Sequence, residues 1–415
     1  MRILITSTLY PPVAYGGYEV ECSAVVDRLR EHHDVLVLTS DWRAAEVQAE
    51  EGVRRELARL TPDERGAVRA PLAALRGVQA ARRALEWQPE LIYAWNGGGL
   101  PQAALRVLAD SGVPLAFRVC EHWFGELFAA DQFMRELLPA HRSPPRAAWS
   151  LGARAFNALP ALQLKPLRPL RTAISWNSEA IRAMVEVPAF VEPVLERVGH
   201  SVPRYGDLYA QIVRAPASPP AIVFLGRVTA FKGLAVAIEA LALLFSRHGL
   251  EATLDVVGPE DVEYGREMRA LAERLGVARA VRWHGQMTPE RAAPLMASAG
   301  AMIVPSVWRE PFPLVTIEGA LARVPLVASD IGGIGEGMEH ERHALLFAAG
   351  DAEQAAAALA RTFGEGEQTA ARVARAYERA QEFRIGPYLD AQEQFVSDAT
   401  AAFRRGVRSV SDAAV

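Results

Sequence analysis

The stretch AIVFLGRVTAFKGLAVAIEALALLFSRHG, residues 221–249, reads as one strand, one loop and one helix. AIVFLG is an apolar run of strand length that stops at Gly226, and from Gly233 apolar residues recur at helical spacing. A strand that runs straight into a helix is half of a βαβ unit. The same alternation extends in both directions. Strand-like runs precede it at 3–7, 35–40, 91–95, 114–119 and 172–177, and follow it at 253–258, 280–285, 301–306, 325–330 and 344–347. Between them lie amphipathic stretches such as EVECSAVVDRLR and DVEYGREMRALAERLG. Right-handed crossovers between such strands give parallel sheets covered on both faces.

A chain of 415 residues is too long for one ordinary core. The Pro/Ser/Ala-rich segment RAPASPPA, 214–221, has the composition of a linker. The expected architecture is therefore α/β, two Rossmann-like doubly wound domains facing across a cleft. Residues 1–213 form the first domain and 222–388 the second. A helical segment, 389–415, follows and returns to the first domain.

Composition narrows the function classes. Half the residues are hydrophobic, and the formal net charge of −4 gives no global reason to expect nucleic acid as a partner. Cys22 and Cys120 have neither disulfide-framework nor zinc spacing, and no apolar run approaches membrane-spanning length. A cytoplasmic protein is expected, with any membrane contact peripheral. The stretch 135–171 carries seven Lys/Arg against one acidic residue, interleaved with aromatics and leucines. It reads either as surface helices with solvated arginines or as a basic, apolar face for an anionic acceptor or a membrane.

Three stretches carry candidate chemistry. In TLYPPVAYGGYE, Gly16 and Gly17 sit between a strand and a helix, where backbone amides approach an anion closely. In GRVTAFKG, Arg227 and Lys232 follow a strand end beside a helix start, a good clamp for a pyrophosphate. Lys232 is one of two lysines in a chain whose other basic residues are all arginine, which suggests a site for a compact ammonium. Neither stretch fits the dinucleotide fingerprint or the Walker pattern.

The third stretch, WREPFPLVTIEG, 308–319, sets Glu310 and Glu318 around an apolar segment. Pro313 suits a first helical turn, and Leu314, Ile317, Leu321 and Val324 form a buried stripe. The first-turn amides of Leu314 and Val315 would then point into the cleft. Both glutamates lie near the positive end of the helix dipole, which eases their ionisation. Two acceptors and several donors would converge on one polyhydroxyl ligand. The plainer reading is a loop glutamate followed by an exposed helix glutamate.

EPFPLVTIE resembles the motif of two glutamates seven residues apart that marks glycosyltransferase family 4, retaining enzymes with the GT-B fold. LYPPVAYGGYE looks like that family's N-terminal glycine loop, GRVTAFKG like its phosphate segment, and VPLVASDIGGIGE like the stretch after the second glutamate. The resemblance covers most of residues 1 to 350.

It implies a nucleotide-diphosphate sugar as donor substrate, no required cofactor and no metal site, in keeping with the absence of a D-x-D triplet. By it, Arg227, Lys232 and the amides of Gly16, Gly17, Leu314 and Val315 bind the diphosphate. Glu318 takes the ribose, Glu310 and Phe312 the donor sugar, and Gly258, Gln286 and Met287 border the base. His122 in RVCEHWFGE matches the family's active-site histidine, catalytic alongside Glu310. Trp123 and Phe124 would stack on an acceptor.

There are departures: Pro313 stands where the family commonly has glycine, and RVGHSVP, 197–203, replaces its Asn-Gly. His32-His33 stands in place of Gly-His. Competing readings are a sugar-nucleotide epimerase, a non-catalytic nucleotide-sugar binder, and a pyridine-nucleotide oxidoreductase disfavoured by the missing fingerprint.

Overall fold

A computed structural model describes residues 1–14, 16–59, 69–121, 123–124 and 169–411, except the side chains of 69–72 and 406–411. The expected contributions of His122 and most of 135–171 lie outside these residues. The chain divides into two compact units. One comprises Met1–Asn177, Ile181–Gly199 and Leu389–Val415, and the other Ser178–Ala180 and His200–Tyr388.

The first unit holds β1 (Arg2–Ser7), β2 (Asp34–Ser40), β3 (Val53–Leu57), β4 (Leu91–Ala94), β5 (Leu115–Val119), β6 (Leu170–Trp176) and β7 (Val191–Val198). They form one sheet in the order 3-2-1-4-5-6-7, parallel throughout. The second holds β8 (Ala221–Leu225), β9 (Thr253–Val257), β10 (Val281–Gly285), β11 (Ala299–Val304), β12 (Leu326–Ser329) and β13 (Leu345–Phe347). Its order is 10-9-8-11-12-13, again parallel. Strands such as Ile3–Ile5 and Ile222–Phe224 are buried on both faces, as sheets covered by helices on each side require.

In each sheet the chain winds outward one way from its first strand and then crosses to wind the other way. That reversal, between β1 and β4 and again between β8 and β11, is the switch point where open α/β sheets bind ligands beyond the strand ends.

The segment expected as a loose linker is pinned within the second unit. The amides of Ala215 and Ala217 donate to Ala297 and Ser298, and the Arg214 guanidinium bonds the carbonyls of Met296 and Ala299. Burial lowers the Arg214 pKa to about 10. The helix Ile385–Ser411 begins in the second unit, and from Leu389 it belongs to the first. There Phe395, Val396 and Ala399 are buried, and Gln392 accepts the Tyr93 hydroxyl at 2.7 Å. Among the described residues no helix is long and apolar enough to cross a membrane.

Candidate active site

The switch point of the second sheet places two loops side by side. One leaves β8 and carries Arg227 and Lys232, and the other leaves β11 and carries Ser306 and Glu310. Two backbone contacts fix their separation. Gly233 has φ +67°, and a Cβ there would lie 1.9 Å from the Pro305 carbonyl oxygen, so only glycine fits. Val307 donates its amide to the Phe231 carbonyl at 3.0 Å. Lys232 is thus bracketed by contacts to the loop that presents Glu310.

A second bracket holds Glu310 from behind. Gly333 donates its amide to the Glu310 carbonyl at 2.7 Å. A Cβ on Gly332 (φ +61°) would meet the Glu310 backbone at 2.2 Å, and one on Gly333 would meet the Pro311 carbonyl oxygen at 2.0 Å. The glycines after β12 are therefore what let the Glu310 turn sit where it does.

With the backbone fixed, the side chains meet. The Lys232 ammonium lies 2.5 Å from Glu310 Oε1, and the Ser306 hydroxyl donates to the same oxygen at 2.5 Å. Glu310 is 3% exposed and Ser306 fully buried. A carboxylate so enclosed is stable as an ion only while such partners remain. Arg227, one residue past Gly226, is exposed.

The ends of β9 and β10 join the same edge. Gly258 (φ +144°) packs so closely that a Cβ would lie 1.9 Å from the Gly226 carbonyl oxygen, and its amide bonds Gly285 at 2.8 Å. Gln286 is exposed just beyond β10 and Met287 partly so. Arg227, Lys232, Gly258, Gln286, Met287 and Glu310 are therefore gathered at the carboxyl end of one sheet. Among the described residues no group of His, Cys, Asp or Glu is arranged to hold a metal ion.

The helix Leu314–Leu321 differs from expectation. Pro313 precedes it with extended backbone (φ −79°, ψ 101°) instead of opening its first turn. Leu314 and Val315 are its first two residues, so their amides have no acceptor within the helix. Ile317, Leu321 and Val324 are buried, whereas Leu314 is partly exposed and Val324 lies past the helix end. Glu318 sits beyond the first turn, where the dipole has faded. Burial raises its pKa to about 7, against the expected easing of ionisation. The buried Tyr209, its hydroxyl pushed up by burial and then by Glu318, belongs to the neighbouring helix Gly206–Ala210.

Phe312 is buried, its ring 4.8 Å from that of His200 and 5.3 Å from that of Phe383. Its aromatic face is committed to that cluster. His200 Nε2 also lies 3.1 Å from Glu336. Burial pushes the Glu336 carboxyl up, but hydrogen bonds from His200 and the amides of Ala180 and Glu179 hold it below the usual range.

In the first unit, two expectations change. The Gly16 amide donates to Glu19 at 3.0 Å, so it is not spare for a phosphate, while Gly17 opens the helix Gly17–Arg30. Trp123 and Phe124 are 6% and 0% exposed. Phe124 packs against Phe117 and Trp176, and Trp123 against Phe117. They are core residues and not an acceptor platform. Large aromatics after a strand end gave no sign in the sequence of which way they face. Ser306, Gly332 and Gly333 were the residues sequence reasoning missed. A glycine pair just after the strand that follows the glutamate motif is the signal that would have found the last two.

Residues 219–365 match the family described as "Glycosyl transferases group 1". Glycogen synthase of Mycobacterium tuberculosis is 26% identical over 389 residues, spanning 86% of this chain and 85% of that protein. D-inositol 3-phosphate glycosyltransferase of Acidothermus cellulolyticus is 32% identical over 182 residues, 42% of this chain and 39% of that one. Among solved structures, sucrose-phosphate synthase from Thermosynechococcus elongatus superposes with a TM-score of 0.70 at 18% identity, covering 97% of this chain and 99% of that one. HepE of Anabaena, solved with UDP and glucose, gives 0.65 at 20% identity, covering 96% and 100%. The chain has the GT-B fold and is a glycosyltransferase.

Proposed function

We propose that the protein moves a hexosyl group from a nucleoside-diphosphate sugar to a hydroxyl acceptor with retention of anomeric configuration, as the resemblance to glycosyltransferase family 4 implies. The observation that carries this reading is the Lys232–Glu310–Ser306 group, held by glycine contacts at the switch point of the second sheet. A cation and helix-start amides beside a carboxylate match a ligand that joins a diphosphate to a polyhydroxyl ring.

In this reading Arg227, Lys232 and the amides of Leu314 and Val315 hold the diphosphate, and Glu318 accepts from the ribose hydroxyls. Gly258, Gln286 and Met287 border the base, while Glu310 holds the sugar near its anomeric carbon. The bond from the anomeric carbon to the diphosphate oxygen breaks, and the diphosphate leaves with the electron pair. The cations and amides neutralise that charge as it grows, the electrostatic term that dominates such sites. The acceptor oxygen attacks from the same face, and its proton passes to the departing phosphate oxygen. His122 keeps the catalytic role that the resemblance implies. UDP is the first carrier to test, since the neighbour HepE was solved with it.

The test is a thermal-shift panel of UDP, GDP, ADP and NAD on wild type and Lys232→Ala. A ligand at a hundred times its dissociation constant stabilises the native state by about 2.7 kcal/mol. One nucleoside diphosphate should raise Tm in wild type and fail to do so in Lys232→Ala. In a turnover assay with the matching donor, Lys232→Ala and Glu310→Gln should each lose more than about tenfold while remaining folded. A shift with NAD alone, or wild-type turnover in both variants, would overturn the assignment.

A further inference from the structure

Glu310 Oε1 accepts from two partners of different kinds. The Lys232 ammonium is at the end of a flexible stem and 23% exposed. The Ser306 hydroxyl is on a short, fully buried side chain that follows directly on β11 and Pro305. When a diphosphate enters, it presents two negative groups to Lys232, and the ammonium is drawn toward the larger charge. Glu310 would then lose its ionic partner at the moment its position matters most. A buried carboxylate without a partner turns toward solvent or takes up a proton.

We propose that Ser306 is the positioning residue for Glu310, holding the carboxylate in place while Lys232 transfers from it to the donor diphosphate. The inference rests on the donor reading given above. Ser306 touches neither donor nor acceptor, and it acts through Glu310. The pair seen between Lys232 and Glu310 is the resting arrangement, exchanged for a Lys232–phosphate pair when donor binds. The Gly233 contact with Pro305 supports this arrangement, because it fixes the residue next to Ser306 against the loop that carries Lys232.

The experiment compares wild type, Ser306→Ala and Ser306→Thr in two measurements. The first is the affinity for UDP, GDP and ADP by calorimetry. The second is acceptor-free hydrolysis of the glucose conjugate of whichever diphosphate binds. Removing a hydrogen bond to a charged group should lower kcat by about tenfold or more in Ser306→Ala. Its KM and diphosphate affinity should stay within about twofold, since Lys232 is untouched. Ser306→Thr, which keeps the hydroxyl, should recover most of the loss. Adding Ser306→Ala to Glu310→Gln should cost nothing further, because the two act as a unit.

Wild-type kcat in Ser306→Ala, equal losses in the Ala and Thr variants, a loss confined to KM, or full additivity with Glu310→Gln would each overturn the proposal. Wild-type protein that binds none of the three diphosphates would instead overturn the donor reading, a distinct result.

Discussion

At the scale of single residues, Glu310 and Glu318 share a motif but have different environments. Glu310 is met by Lys232 and Ser306, whereas Glu318 has no such partner among the described residues and is raised by burial to about 7. Between its ordinary 4.5 and about 7, the native chain holds a proton that the unfolded chain releases. Stability therefore falls as pH rises through that window and levels off above it. Glu318→Gln should remove this slope, leaving the variant more stable than wild type at pH 8. Tm measured from pH 4.5 to 8 in both proteins checks this, and parallel curves would contradict it. If ribose hydroxyls donate to Glu318, diphosphate binding favours the carboxylate and releases a proton near neutrality. Calorimetry in buffers of different ionisation enthalpy would detect that proton in wild type and lose it in Glu318→Gln.

At the scale of elements, the loops are set by glycines that tolerate no Cβ. Gly233→Ala places a methyl 1.9 Å from the Pro305 oxygen at a positive φ. It should cost about 3 kcal/mol and abolish diphosphate binding by moving Lys232 off its partner loop. Gly249 also has positive φ but meets nothing within 4 Å, so Gly249→Ala should cost only about 1 kcal/mol and leave binding intact. Denaturant midpoints and diphosphate titrations of both variants separate a local effect on the site from general destabilisation. The strands that build these loops were legible because they are apolar and interior. Strands β3 and β7 were not, for reasons that belong to sheet edges. VRREL carries three charged residues, as edge strands do. VEPVLERV has Pro193 at a shift in its register with β6 and exposes most of its length. The loops that carry Lys232 and Glu310 could be located from spacing, since each follows an apolar strand. The burial of Trp123, Phe124 and Phe312 could not, because an aromatic beside a strand end has the same one-letter signature whether it faces the core or a ligand.

At the scale of the whole molecule, the last helix completes the first unit. Phe395 packs 5.7 Å from the ring of Tyr93 and is 2% exposed. Arg28 pairs with Asp390 and Glu393, and Arg197 with Asp398. Phe395→Ala should cost about 3–5 kcal/mol, read as a lower unfolding temperature. Nucleoside-diphosphate affinity should be retained, since the residues proposed to hold the donor lie in the second unit. A variant that melts like wild type would show that this packing contributes little. The consequence reaches back to synthesis. A ribosome must deliver residues 200–388 before it makes the segment that covers Tyr93. The first unit therefore waits, with its apolar face open, through the translation of the entire second one. The packing of Phe395 on Tyr93 forms only after the second unit has been made, whatever the rest of the first unit has done by then.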